Sequence, residues 1–235
     1  MATKQNIVSF IRLGLVSPRL MLLARRIKKN KHTFLSYSTI YSLVKNFIEL
    51  EKHSSQLLQV AEFGVGRGGS ATILAWLVNH YNGYLTLFDI FGRIPAPSQQ
   101  DGAKALSRYE FIVQQEKDDY YGNISDLLEV ILADLHKVCR PERIEIVKGK
   151  YEDVLPGMND EREFSLVHID CDWYESSKVV YNYLQTRLHT GAIIQVDDYT
   201  NWEGSTRAFQ ETTWLTAYHT HLIDGALVIN TSRFK

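Results

Sequence analysis

The sequence predicts an α/β protein built on one mixed β-sheet. Short apolar runs alternate with helical patterns along most of the chain. The first of those runs passes directly into a glycine-rich turn, and the last two flank Asp224-Gly225. Alternating strands and helices place a parallel sheet between helical layers. Asp-Gly between two alternating runs is the strongest short hairpin signal, so the final two strands are antiparallel. A barrel of eight βα units is excluded, because only about five such units are legible.

Residues 6–52 read as two or three helices, with a break around Ser17-Pro18 and apolar spacing from Tyr41 through Val44, Phe47 and Ile48. The run LLQVAEF (57–63) is a buried strand leading into GVGRGGS, and ATILAWLV (71–78) is the helix behind it. YLTLFD (84–89) is the second strand. A polar segment follows from Ile94 to about Ile124, carrying Tyr109, Phe111, Tyr120 and Tyr121. Its length fits a substrate cover better than a plain connection, with a surface helix pair making a dimer contact as the alternative. Next come a helix over 125–138, strands over 143–149 and 164–170, a helix over 175–188, a strand over 192–198 and a helix over 205–215. The hairpin occupies 218–230. The expected organisation is a helical extension over 1–55 and one domain over 56–235, with candidate lids at 1–30 and 95–124.

At 235 residues and 27.1 kDa the chain suits a single full core. Hydrophobic residues at 45% and charged residues at 23% exclude global disorder and a fibrous protein. Twenty-six Lys plus Arg against twenty-seven Asp plus Glu argue against a dedicated nucleic-acid binder. The two cysteines, Cys139 and Cys171, form no CxxC pair, which speaks against a disulfide framework or a structural zinc site. No apolar run is long enough for a membrane span. The N-terminal basic cluster follows the apolar stretch, the reverse of a secretory signal, so a cytoplasmic setting is expected. The charge run from Arg25 to Lys31 reads as a solvated helix end, with contact to an anionic surface as the alternative.

Two constellations carry chemistry. Gly64-Val65-Gly66-Arg67-Gly68-Gly69 satisfies GxGxxG, a weak signal alone, since a tight turn without ligand has the same appearance. Such glycines let a nucleotide lie close to the backbone near a helix N-terminus. Asp89 ends the second strand at the position where a carboxylate accepts bonds from ribose hydroxyls. Glu62, just before the glycines, would attract a sulfonium amino acid with its ammonium and repel a pyrophosphate. S-adenosylmethionine is therefore favoured over a dinucleotide, and Arg67 is available for a ligand carboxylate. The second constellation is sharper. Asp170 and Asp172 flank the end of the fourth strand (HIDCDWY), and Asp197-Asp198 end the fifth (VDDY). On neighbouring parallel strands these ends lie side by side over the ligand crevice. Four crowded carboxylates raise one another's pKa unless a cation neutralises them. An oxygen-only set suits Mg²⁺, with Mn²⁺ or Ca²⁺ as alternatives. Capping of loops and helices is the bland reading of these aspartates. His168 reads either as a partner behind the acidic site or as a core histidine, and Cys171 as packing. The aromatics Trp173, Tyr174, Tyr199 and Trp202 neighbour the acidic residues in sequence.

The stretches AEFGVGRGGSA, FDIFGRIP, GKYEDVLP, HIDCDWYESS and GAIIQVDDYTNWEGSTRAF together resemble the macrocin O-methyltransferase (TylF/MycF-type) family, in family order from Ala61 to about Glu211. Enzymes of that family methylate sugar hydroxyls of natural products with S-adenosylmethionine and Mg²⁺. The resemblance implies a class I methyltransferase fold with strand order 3-2-1-4-5-7-6. It implies a metal held by Asp170, Asp197 and Asp198, and Asp172 as general base. Ser70 and Tyr151 complete an expected cofactor set of Glu62, Gly64, Gly66, Arg67, Gly68 and Asp89. A glycosylated small-molecule acceptor and a homo-oligomer also follow from it. The chain departs from the family pattern at Ile90, where Ser is common, at Gly92-Arg93, where the glycine is shifted by one, and at Val154, where Thr is common. A catechol acceptor is a further option. Two other readings are an NAD-dependent oxidoreductase, which needs no metal and usually a Tyr-x-x-x-Lys pair (none is assigned here), and a catalytically idle binding partner of the same fold.

Overall fold

The computed structural model describes residues 3–115, 126–158 and 161–232. Three helices open the chain: α1 (Lys4–Val16), α2 (Pro18–Lys29) and α3 (Tyr37–His53). Thr3 and Ser36 cap α1 and α3 through their hydroxyls, and Pro18 starts α2 where its missing N–H costs nothing. The three helices are a layer of the domain rather than an appendage. Leu13, Leu20, Ile40, Leu43 and Phe47 are fully buried in one apolar cluster with Val60, Ile73, Leu74 and Leu77.

The sheet begins with β1 (Leu58–Phe63), followed by α4 (Gly69–His80) and β2 (Gly83–Asp89). Helix α5 (Gly102–Gln115) lies in the segment read as polar connection; of its positions, Ala105 and Ile112 are buried. Tyr120 and Tyr121 lie outside the described residues. Then come α6 (Leu127–Leu135), β3 (Ile144–Lys148), the single turn α7 (Tyr151–Val154) and β4 (Phe164–Ile169). After α8 (Tyr174–Leu184) and β5 (Leu188–Val196) the expected helix over 205–215 is two pieces, α9 (Glu203–Gln210) and α10 (Thr213–Thr216). The break falls where the Thr212 hydroxyl donates back to the Ala208 carbonyl at 2.7 Å, a bond that competes with helix continuation. Strands β6 (His219–Ile223) and β7 (Ala226–Asn230) close the chain. Asp224 and Gly225 both have positive φ, 49° and 94°, as a two-residue I′ turn demands.

The seven strands follow the order β3-β2-β1-β4-β5-β7-β6, with β7 antiparallel to both neighbours and the other pairs parallel. This is the mixed sheet expected. The carboxyl ends of β1, β2, β4 and β5 consequently converge on one edge. Glu62, His168 and Gln195 lie opposite one another on β1, β4 and β5, a polar row inside the sheet. The chain's two ends also meet. Asn6 Nδ2 donates to Asp224 at 3.2 Å, while Asn6 Oδ1 accepts from the Ser38 amide at 3.1 Å.

Candidate active site

A cleft of about 560 Å³ opens over the strand ends, within the roughly 300–1,000 Å³ usual for small-molecule sites. The ladder itself carries the chain into it. Asp170 N donates to Phe63 O at 2.8 Å and Asp197 N to Ile169 O at 2.9 Å, so both acidic pairs leave their strands in register. Carboxylate oxygens of Asp170, Asp172 and Asp198 lie within 4.8 Å of one another. Asp172 sits at φ 59°, a left-handed conformation that aspartate tolerates better than most residues, and this turns it toward Asp198. Burial raises the pKa of Asp170 well above the ordinary carboxylate range, and Asp197 and Asp198 add to it. Burial does the same for Asp172, helped by Asp198 and opposed by a hydrogen bond from Trp202. Asp197 is raised by burial and by Asp198, with Lys28 of α2 acting against it. Lys28 itself donates to the Leu35 carbonyl.

The glycine turn forms the adjoining wall. Gly64 is required there. A Cβ on it would come 2.0 Å from the Asp170 carbonyl oxygen, and its φ is 89°. Asp89 ends β2 as expected, and its carboxylate accepts from Val65 N at 2.6 Å, Gly66 N at 3.2 Å and Phe91 N at 2.6 Å. Of the expected cofactor residues, Gly64, Gly66, Asp89 and Tyr151 line the cleft. Tyr151 is held beneath it by the Phe88 carbonyl at 3.4 Å, its phenol pushed far up by burial. Ile90 and Gly92, two of the departures from the family pattern, also face the cleft. Val154 packs instead under Gly149.

Glu62, Arg67, Gly68 and Ser70 stand behind the wall. Gly68 lies against Ile131, and Gly69 N donates to the His32 carbonyl at 3.1 Å. Glu62 is fully buried and pairs with His168 Nδ1 at 2.8 Å. Burial pulls the imidazole pKa down, but the hydrogen bond and charge of Glu62, with Asp170 and Asp198, outweigh it and the net shift is upward. His168 is thus bonded to the Glu62 carboxylate rather than to backbone. Cys171 packs as expected, its sulfur 3.6 Å from the Phe63 carbonyl.

The opposite wall comes from the segment after β2. Trp173 donates its indole N–H to the Pro95 carbonyl at 2.9 Å and meets Trp202 edge-on at 5.3 Å. Lys104 lies over the Trp202 ring and donates to the Asn201 carbonyl at 2.7 Å. Asp101, 1% exposed, accepts from Tyr174 N at 2.6 Å through one oxygen and from Ser98 N at 2.7 Å through the other. Sequence reasoning missed Asp101, although Ser98-Gln-Gln-Asp101 is a legible capping box. Tyr174 and Tyr199 do not line the cleft, whereas Trp173 and Trp202 do. A Tyr-x-x-x-Lys spacing does occur, at Tyr41 and Lys45 and again at Tyr174 and Lys178, contrary to the sequence reading. The Tyr174 hydroxyl bonds Glu211 and the Lys178 amine bonds Thr212, and neither residue is part of the cleft wall. Tyr41 and Lys45, both on α3, are not part of the wall either, so neither pair gives an oxidoreductase support.

The donor set at the cleft floor is oxygen-only, half-buried and crowded with like charge, so it fits a hard divalent cation such as Mg²⁺.

Sheet order and cleft position together define a class I methyltransferase. The chain belongs to the macrocin-O-methyltransferase (TylF) family, whose model matches residues 58–224, and it is an O-methyltransferase. No curated protein matches the sequence significantly. Among solved structures, the O-methyltransferase NovP superposes with a TM-score of 0.71 at 18% identity, covering 86% of this chain and 83% of NovP. CalS11, a calicheamicin methyltransferase, gives 0.65 at 17% identity over 98% and 94% of the two chains. TomG, an O-methyltransferase from Streptomyces achromogenes solved with SAM, gives 0.57 at 12% identity over 91% and 89%.

Proposed function

We propose that this chain is an S-adenosylmethionine- and Mg²⁺-dependent O-methyltransferase acting on a sugar hydroxyl of a natural product or glycoconjugate. The observation that carries the reading is the half-buried aspartate cluster at the floor of the cleft that the glycine turn and Asp89 border. CalS11, one of the structures of the same fold, is described as a TDP-rhamnose 3'-O-methyltransferase, which favours a sugar over a catechol.

When bound, S-adenosylmethionine supplies an electrophilic methyl group and Mg²⁺ supplies the charge that lowers the pKa of a neighbouring hydroxyl. Gly64, Gly66, Asp89 and Tyr151 contact the cofactor. Asp89 keeps its place for the ribose because three backbone amides hold its carboxylate. Glu62, Arg67, Gly68 and Ser70 support the turn from behind. Asp170, Asp197 and Asp198 hold the ion, and Asp172 receives the proton of the acceptor hydroxyl, a step worth on the order of 10²- to 10⁴-fold. Trp173 and Trp202 orient the acceptor and exclude water, and the segment from Pro95, with Phe34 across the mouth, serves as its cover. A second partition, in which Asp172 joins the ion's shell and Asp197 does not, is favoured by the tight grouping of Asp170, Asp172 and Asp198. A homo-oligomer and a cytoplasmic location belong to the same reading; no helix among the described residues is long and apolar enough to cross a membrane.

Calorimetric titration with S-adenosylhomocysteine in Mg²⁺ buffer is the first test, and micromolar binding is expected. Turnover of glycosides should stop on chelation and return with Mg²⁺. Asp172→Asn should abolish turnover while keeping both cofactor and metal affinity; loss of metal affinity would favour the second partition. No binding of S-adenosylhomocysteine, with binding of NAD instead, would overturn the assignment.

A further inference from the structure

Residues 1–48 contain nine Lys and Arg and not one Asp or Glu. Residues 49–235 therefore hold seventeen basic residues against all twenty-seven acidic ones, so a nearly neutral protein is strongly polarised along its chain. The basic part is α1 and α2 with their flanks, and its outward surface is unusual for a water-facing one. On α1, Ser9 and Leu13 point inward, while Ile7, Val8, Ile11 and Leu15 recur at helical spacing on the solvent side, Leu15 at 82% exposure. On α2, Leu20, Ala24 and Ile27 point inward, and exposed Leu22 is surrounded by Arg19, Arg25, Arg26 and Lys29. Among the described residues none of those four cations forms an ion pair with a carboxylate. Five turn-spaced aliphatic side chains thus stand in water beside a block of available positive charge. Phe34, just past α2, is 65% exposed and lines the cleft.

We propose that the outer face of α1 and α2 docks on an anionic phospholipid surface. Aliphatic side chains enter the headgroup boundary, and Arg19, Arg25, Arg26 and Lys29 meet lipid phosphates. An amphipathic surface with Lys and Arg beside Leu and Ile is the composition that lies in a membrane interface, and anionic lipid supplies the complementary charge. A second copy of the chain fits less well. A two-fold contact sets the same patch against itself, and residues 1–48 hold no Asp or Glu to meet the four cations of α2. Nucleic acid would accept the charges but leave the aliphatic face in water.

The test is co-sedimentation of the full chain with vesicles of phosphatidylcholine alone and with about one-third phosphatidylglycerol. Binding is expected to the anionic vesicles only, and to weaken at least about tenfold when NaCl is raised from about 0.1 M to about 0.5 M. The variant Arg19→Gln/Arg25→Gln/Arg26→Gln/Lys29→Gln should lose about fivefold per charge, on the order of a hundredfold or more in total. Ile11→Ser/Leu15→Ser should weaken binding while leaving its salt dependence in place. All these positions are exposed, and circular dichroism checks that each variant is folded. Equal binding to neutral vesicles, no binding to anionic ones at low salt, or an unaffected charge variant would overturn the proposal. So would sedimentation velocity showing a dimer that Ile11→Ser/Leu15→Ser dissociates, since the face would then belong to a second copy.

Discussion

Replacing Gly64 by alanine tests how the glycine turn and the acidic floor are joined. The new Cβ would stand 2.0 Å from the Asp170 carbonyl oxygen, a full 1.0 Å inside the 3.0 Å that real Cβ atoms keep. The neighbour is backbone and cannot rotate away, so the ends of β1 and β4 must separate. Holding alanine at φ 89° costs about 1–2 kcal/mol by itself. Separating the strand ends weakens the Asp170 N to Phe63 O bond, worth about 0.5–1.5 kcal/mol, and strains the turn by a comparable amount. A total near 3–4 kcal/mol corresponds to a fall in Tm of roughly 6–15 °C for a domain of this size. Because Asp170 moves with its own carbonyl, turnover should fall with stability. Thermal denaturation followed by circular dichroism measures the first effect and methyl transfer the second. Gly157→Ala is the internal control, because nothing lies within 4 Å of its added methyl and its backbone angle is ordinary. If Gly64→Ala melts within a degree or two of Gly157→Ala and keeps full activity, the claim that the two strand exits interlock here is wrong.

Removing the imidazole with His168→Ala should cost about 3–5 kcal/mol by chemical denaturation, because the fully buried Glu62 loses its partner. The double variant His168→Leu/Glu62→Leu should recover much of that loss; a cycle showing no coupling would mean the pair is not a unit. Trp173→Phe should raise KM for the acceptor several-fold with little change for the cofactor, since the indole bond to Pro95, worth about 1 kcal/mol, ties down the cover. Equal effects on both substrates would refute that placement. Cys139, its pKa pushed to about 11 by burial, should be thiolate in fewer than about one molecule in a thousand at neutral pH. Mass spectrometry should find it unalkylated in the native protein and fully alkylated in urea; its reactivity should grow as pH rises toward that value.

Strand positions were legible because β1, β4 and β5 pass through the middle of the sheet as continuous apolar runs, and the last hairpin announced itself through Asp224-Gly225. The first half of β5 escaped notice since Leu188-His-Thr-Gly lacks apolar continuity; only its pairing opposite Phe164 makes it strand. Helix α5 was hidden by its mostly solvated surface. At the site, residue types and spacing revealed the four aspartates, Asp89 and the glycines. They did not reveal which side chains face the cleft. That depends on how α2, the Pro95 segment and α9 close around the strand ends, which brings Lys28, Lys104 and Asp101 in from distant parts of the chain. Asp101 is the instructive case. Its capping box is local, but its second oxygen reaches Tyr174, and Gly204 leaves it room, since a Cβ there would lie 1.9 Å from that carboxylate.

The contact between Asn6 and Asp224 bears on how the molecule assembles. It joins positions 218 residues apart, and α3 similarly rests on β5 and β6. Helices α2 and α3 also pack on α4, which is near them in sequence, so only part of this helical layer depends on the distant strands. The distant contacts carry a large loop-closure entropy, so they are expected to form late in folding. Until the final hairpin exists, the parts of α1 and α3 that meet Asp224 and β6 lack their partners. A chain cut short of β6 and β7 would leave those parts of α1 and α3 uncovered along with the apolar side of β5, which gives the final hairpin a share in solubility as well as in the sheet.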